Sequence, residues 1–262
     1  MKKIDSKTTY AVVTGASQGL GKAFAFSLAK RSHNIILISL PNQKLKEVAN
    51  HIKALYGVKV LYFEADFSSD ENMFSLVNFL NKNYAIDILI NNAGTGGTKK
   101  IEDASFNYLN TIIQVNVKAT TLFTHQLLPN LKRHKKSYIL NVSSIAAFSP
   151  IGYKTVYPAS KAFIHSFSIG LSEELRNSNI TVSVINPGAM KTNPEITARI
   201  EKQGFLGKLT LLEPEKVAEY SINKMFRGTT FILINPLSWL LSKLLPNWIK
   251  VPMMTKIVKR EA

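Results

Sequence analysis

The chain has no cysteine. That excludes disulfides, thiolate nucleophiles and cysteine-bound zinc, and it fits a reducing compartment. Acid is scarce as well. Against 33 Lys+Arg stand 17 Asp+Glu, which gives a formal charge of +16. The basic residues are dispersed and form no long block, so they read as a solvated basic surface, and no nucleic-acid partner is expected. No uninterrupted apolar run is long enough for a transmembrane helix. Met1 to Thr9 is polar and lacks the apolar stretch of a signal peptide, so a cytoplasmic location is expected. His33, His51, His125, His134 and His165 are scattered without metal-ligand spacing, and no metal site is expected.

What is present is an alternation of short apolar runs with amphipathic stretches. Tyr10–Val13, Ile35–Ile38, Val60–Phe63, Ile86–Ile90, Tyr138–Val142, Val182–Ile185 and Phe231–Ile234 read as buried strands. Helical periodicity lies between them. Pro41 is placed in the first turn of a helix running to about Tyr56, and a long helix covers Asp103 to about Leu131. The pattern predicts an α/β fold with a doubly wound, mostly parallel, seven-stranded sheet flanked by helices. Residues 1–235 form a single domain on this reading, with a looser loop at 189–212 and an apolar, basic extension at 236–262.

Three places carry chemistry. The first strand runs into Gly15-Ala16-Ser17-Gln18-Gly19-Leu20-Gly21, and a helix follows. Strand, glycine turn and helix form a phosphate-binding layout, because the backbone can approach a pyrophosphate at a helix N-terminus. Asn92, Ala93 and Gly94 follow the fourth strand, at the ligand-binding edge of a parallel sheet. Tyr157 and Lys161 lie at i and i+4, on one helix face. A fixed ammonium beside a phenol lowers its pKa, which suits proton transfer near neutrality. Ser144, just past the fifth strand, is placed to hydrogen-bond an oxygen on which charge develops. Ser143 beside it should face the opposite way by strand alternation.

In order along one chain, Thr14-Gly15-x-x-x-Gly19-x-Gly21, Asn91-Asn92-Ala93-Gly94, Asn116, Ser144, Tyr157-x-x-x-Lys161 and Pro187-Gly188 closely resemble the short-chain dehydrogenase/reductase family. The resemblance implies a Rossmann-like fold and hydride transfer between NAD(P)(H) and an alcohol/carbonyl pair, such as a ketone, aldehyde or 3-oxoacyl substrate. It implies that Tyr157 is the acid/base, that Lys161 lowers its pKa and holds the nicotinamide ribose, that Ser144 orients the substrate, and that Asn116 supports Lys161 through a water. It also implies cofactor contacts from the glycine turn, from Ser39, from Asp66 and Phe67 near the adenine, from Asn92, Ala93 and Gly94, and from Pro187, Gly188 and Thr192 near the nicotinamide. A homodimer or homotetramer is implied too, with the helices around Asn116 and Tyr157 in contact. The rival reading is a catalytically silent dinucleotide sensor on the same fold.

The second strand ends in Ser39, Leu40, Pro41 and Asn42, without the acid that would bind a ribose 2′-hydroxyl. Lys22 and Lys44 are candidates for a 2′-phosphate, so NADP(H) is favoured over NAD(H). Phe148, Ile151 and Met190 are substrate-pocket candidates beside Ser144 and Tyr157. Three readings compete for residues 236–262, in this order: packing on the core or across an oligomer interface, a lid over an apolar pocket, and peripheral contact with an anionic membrane. Pro236, Pro246 and Pro252 are expected to divide this segment into short pieces.

Overall fold

The computed structural model describes residues 8–188, 190 and 211–259. Its centre is a sheet of β1 (Thr9–Thr14), β2 (Asn34–Ser39), β3 (Val60–Glu64), β4 (Ala85–Asn91), β5 (Ser137–Val142), β6 (Ile180–Ile185) and β7 (Phe231–Ile232). The spatial order is β3-β2-β1-β4-β5-β6-β7, and every ladder is parallel rather than most of them. The helices are α1 (Gly19–Ala29), α2 (Leu45–Tyr56), α3 (Asp70–Asn83), α4 (Phe106–Ile113), α5 (Ala119–Leu131), α6 (Val156–Glu174), α7 (Pro214–Phe226), α8 (Pro236–Leu244) and α9 (Asn247–Val258).

Continuous apolar strands are stable here because both faces of the sheet are covered. Side chains alternate between the faces. Ile35 and Leu37 enter one core with α1, α2 and α7, while Ile36 and Ile38 enter the other with α3 and α5. β4 departs from simple alternation. Ile86 and Ile88 are two residues apart yet lie in opposite cores. The pairing shifts between Tyr10 and Ala11, which makes Asp87 an inserted residue, and Thr9 Oγ1 donates to Asp87 Oδ2 at 2.8 Å.

Several local expectations change. Pro41 lies in the turn before α2, whose first helical residue is Leu45, preceded by Lys44 in the left-handed region at φ 54°. The helix expected from Asp103 begins at Phe106, where the Ser105 side chain accepts from Tyr108 N. It continues to Leu131 through a π-helical turn at Gln114–Lys118. Pro252 sits inside α9 and does not end it.

Buried polar side chains tie the layers. Asn91 Nδ2 donates to Thr124 Oγ1 and Asn141 Oδ1, and Asn141 Nδ2 donates to Ser168 Oγ, which links α5, β4, β5 and α6. Asn130 at the end of α5 accepts from Ile86 N at 3.0 Å and donates to Tyr84 O at 2.9 Å, which fixes the start of β4. Asn130→Ala leaves the Ile86 N–H buried without that acceptor. A loss of about 2 kcal/mol of stability is expected in urea unfolding, and an unchanged midpoint counts against this role.

Candidate active site

The site lies at the C-terminal edge of the sheet and begins with the turn after β1. Gly15 has φ +64°, and a Cβ on Gly21 would meet Gly15 O at 2.1 Å. The turn can fold back onto the first turn of α1 only if residue 21 has no side chain. Thr14 Oγ1 accepts from Asn92 N and Ala93 N, and Asn92 Nδ2 donates to Thr14 O and Gly15 O. Asn92 therefore clasps the glycine turn to the end of β4. Ser39 Oγ donates to Ser17 Oγ at 2.8 Å and braces the turn from β2.

Other residues expected at a cofactor occupy different surroundings. Gln18 is exposed and precedes α1 without capping it through its side chain. Leu20 and Phe67 are core side chains, with Phe67 against the Phe123 ring at 5.0 Å. At these two positions only the backbone is left for a ligand. Asp66 Oδ1 accepts from Ser68 N at 2.8 Å. Pro187 is buried and its carbonyl accepts from Ile145 N, which holds Pro187-Gly188 beside the Ser144 segment. Thr192 and most of the 189–212 loop lie outside the described residues.

The candidate reacting groups converge on the end of β5. Ser143 and Ser144 make different contacts, although both reach α6. Ser143 Oγ donates to Lys161 O at 2.7 Å and is buried. Ser144 Oγ accepts from Ala146 N at 3.2 Å and is a hydrogen-bond partner of the Tyr157 phenol. Lys161 is 5% exposed, and its Nζ donates to Val142 O at 3.0 Å. The same Nζ lies 5.9 Å from the Tyr157 ring centroid. Asn116, on the inner side of the π-helical turn, is 1% exposed. It accepts from Thr95 N and donates to Thr95 O and Ser160 Oγ. A Cβ on Gly94 would lie 3.2 Å from Lys161 Nζ and 3.4 Å from Asn116 Oδ1, so these two atoms flank the same bare position.

Sequence reasoning missed three supports. Gly96 lies against Tyr157, and a Cβ there would stand 2.6 Å from the ring. Asn186 Nδ2 donates to Ser143 Oγ and Ser144 O, while its Oδ1 meets His165 Nδ1 at 3.1 Å. Ser160 joins Asn116 to the Tyr157 carbonyl. Their only sequence signal is position next to a motif.

One electrostatic expectation is overturned. Burial pushes the Tyr157 phenol above its ordinary value, and the Ser144 hydrogen bond opposes this only partly. Burial also pushes the Lys161 ammonium down to about 8. Burial is the larger influence at both, so each group is driven toward its neutral form.

The three substrate candidates separate. Ile151 is buried. The Phe148 ring packs edge-on to His165 at 4.8 Å, with Lys243 Nζ over it at 5.2 Å. Met190 bridges to Leu212 and packs on the core that α7 covers.

A family model described as short chain dehydrogenase matches residues 9–203. This chain belongs to the short-chain dehydrogenase/reductase family. It is an oxidoreductase acting on alcohol/carbonyl pairs with a nicotinamide dinucleotide. Rat very-long-chain 3-oxoacyl-CoA reductase is 33% identical over 92% of this chain and 76% of its own length. L-sorbose reductase from Gluconobacter frateurii, solved with NADPH and L-sorbose, is 28% identical with a TM-score of 0.78, covering 87% of this chain and 95% of that one. A family member from Burkholderia phymatum, solved with NAD, shares the fold at 21% identity and a TM-score of 0.79, covering 90% of this chain and 92% of that one. The bare Gly15–Gly21 turn and the unobstructed Gly94 beside Lys161 suit a dinucleotide.

The buried lysine has a measurable consequence without cofactor. Its folded pKa of about 8 lies below the ordinary 10.5. Between these values the unfolded chain binds the proton and the folded chain does not, so stability rises with pH across that window. Relative to Lys161→Met, the wild type should gain roughly 3 kcal/mol from neutral pH to above the upper value. A stability difference that stays flat with pH overturns the assignment.

Proposed function

We propose that the enzyme reduces an apolar ketone of the 3-oxoacyl type with NADPH. The observation that carries this is the assembly of Ser144, Tyr157 and Lys161 at the end of β5, with Tyr157 bonded to Ser144 and Lys161 buried beside Gly94. A regulatory sensor has no need of a phenol and an ammonium kept out of water. The dinucleotide, when bound, supplies the hydride.

Tyr157 is held protonated by burial and hands its proton to the substrate oxygen, and Ser144 Oγ hydrogen-bonds the same oxygen. Lys161 serves as a fixed donor at the ribose and as the positive charge that stabilises the phenolate left when Tyr157 gives up its proton. Asn116, through Ser160 and Thr95, keeps that face of α6 in place. Gly15, Ser17, Gln18, Gly19, Leu20 and Gly21 supply the pyrophosphate turn. Asp66, Phe67, Asn92, Ala93, Pro187 and Gly188 line the rest of the cofactor path.

The choice of NADPH rests on β2. Residues 39–44 contain no acid, and Lys22 and Lys44 are exposed on either side. L-sorbose reductase was solved with NADPH, which agrees with this choice. The substrate class rests on Phe148 and Ile151 in the segment after Ser144 and on likeness to the rat reductase. We place the reaction in the cytoplasm. We assign a homo-oligomer contact to α4 and α6, where Phe106, Ile113, Phe163 and Ile169 are exposed. Light scattering that finds only monomer removes that assignment.

Steady-state assays over ketones and 3-oxoacyl thioesters test the reaction. Tyr157→Phe should retain NADPH binding and lower kcat by about a thousandfold. NADPH should bind more tightly than NADH at matched salt. Unimpaired turnover by Tyr157→Phe, or tighter NADH binding, contradicts the corresponding part.

A further inference from the structure

The two C-terminal helices leave several large apolar side chains in solvent. α9 turns Lys250 and Thr255 toward the body of the molecule. Lys250 is buried and its Nζ donates to Phe148 O at 2.7 Å and Ser242 O at 2.6 Å. Thr255 Oγ1 accepts from Gly152 N at 2.9 Å. Trp248, Ile249, Met253 and Ile257 of the same helix stand in solvent, and Trp248 is 77% exposed. α8 repeats the arrangement with Leu237, Leu240 and Leu244 at helical spacing, and Leu244 is 68% exposed. Large apolar side chains left in solvent on two successive helices mark an interaction site.

Charge selects the occupant. Residues 236–259 contain Lys243, Lys250, Lys256 and Lys259 and no Asp or Glu. A second copy related by a two-fold axis would bring the same patch against itself, lysine facing lysine. An anionic lipid surface offers acyl chains to the apolar residues and negative charge to the lysines at once. Exposed tryptophan suits the headgroup boundary. No described helix is long and apolar enough to cross a membrane, so contact would be in the plane of the surface.

We propose that α8 and α9 form a docking face for an anionic lipid bilayer, with Leu244, Trp248 and Met253 inserted and Lys243 and Lys256 at the headgroups. The inward faces of the same helices hold the segment that follows Ser144. The docked surface is therefore joined to the wall of the active site, although docking itself does not depend on the proposed substrate.

Flotation of the full chain with phosphatidylcholine vesicles, with or without phosphatidylglycerol, tests this. The chain should float with phosphatidylglycerol vesicles and much less with phosphatidylcholine alone, and added salt should release it. Brominated acyl chains should quench its tryptophan emission. Combined Leu244→Ser, Trp248→Ser and Met253→Ser should lower the floated fraction about tenfold or more, with circular dichroism, NADPH binding and molecular mass unchanged. Failure of the wild type to float, or equal flotation by the variant, overturns the proposal. A fall in mass on substitution overturns it too, because the face is then a contact between copies. None of these outcomes bears on Tyr157, so docking and the reductase reading can fail separately.

Discussion

The site depends on one buried cation. Moving an ammonium out of water costs several kcal/mol unless partners replace the lost hydration. Lys161 has a single carbonyl, Val142 O, as its hydrogen-bond partner among the described residues, and its pKa falls accordingly. The surroundings are built to hold it there. Ser143 grips its backbone carbonyl, Asn186 grips Ser143, and Gly94 leaves the space beside the ammonium bare. Because Tyr157 and Lys161 share one helix face, fixing the lysine fixes the phenol. Gly96 closes against the ring from the other side. An ammonium with donor capacity to spare is a preorganised site for hydroxyls and developing negative charge, which is the electrostatic need of the reaction.

Much of this was legible because it rests on local rules. Apolar strands, helical spacing and a glycine turn follow from patterns of two, three and four residues, and they gave the seven strands in their order along the chain. The bulge at Asp87 was not legible, because an inserted residue in a continuous apolar run leaves no break in composition. Nor was the π-helical turn that carries Asn116, since one residue of extra winding barely alters a helical pattern. Pro252 inside α9 shows tertiary packing overriding a local preference.

The direction of the Tyr157 pKa illustrates a different limit. Spacing places an ammonium beside a phenol, and in water that pair would favour the phenolate. Burial decides the sign here, and burial is a property of the assembled molecule. Asn92 is similar. Its position predicts a cofactor contact, whereas its amide is spent on Thr14 O and Gly15 O. The residue shapes the turn that would meet the phosphates.

The C-terminal segment bears on the same serine from the opposite side. Two buried lysines donate to backbone carbonyls around it: Lys161 to Val142 O before Ser144, and Lys250 to Phe148 O after it. The Ile145–Phe148 turn is thus pinned at both ends by ammoniums that have no carboxylate partner among the described residues. A neutral replacement for Lys250 would free the far end of that turn while leaving Tyr157 and Lys161 untouched. The position of Ser144 therefore depends on helices that begin about ninety residues further along the chain. Whatever those helices rest against is mechanically continuous with the Ser144 hydroxyl.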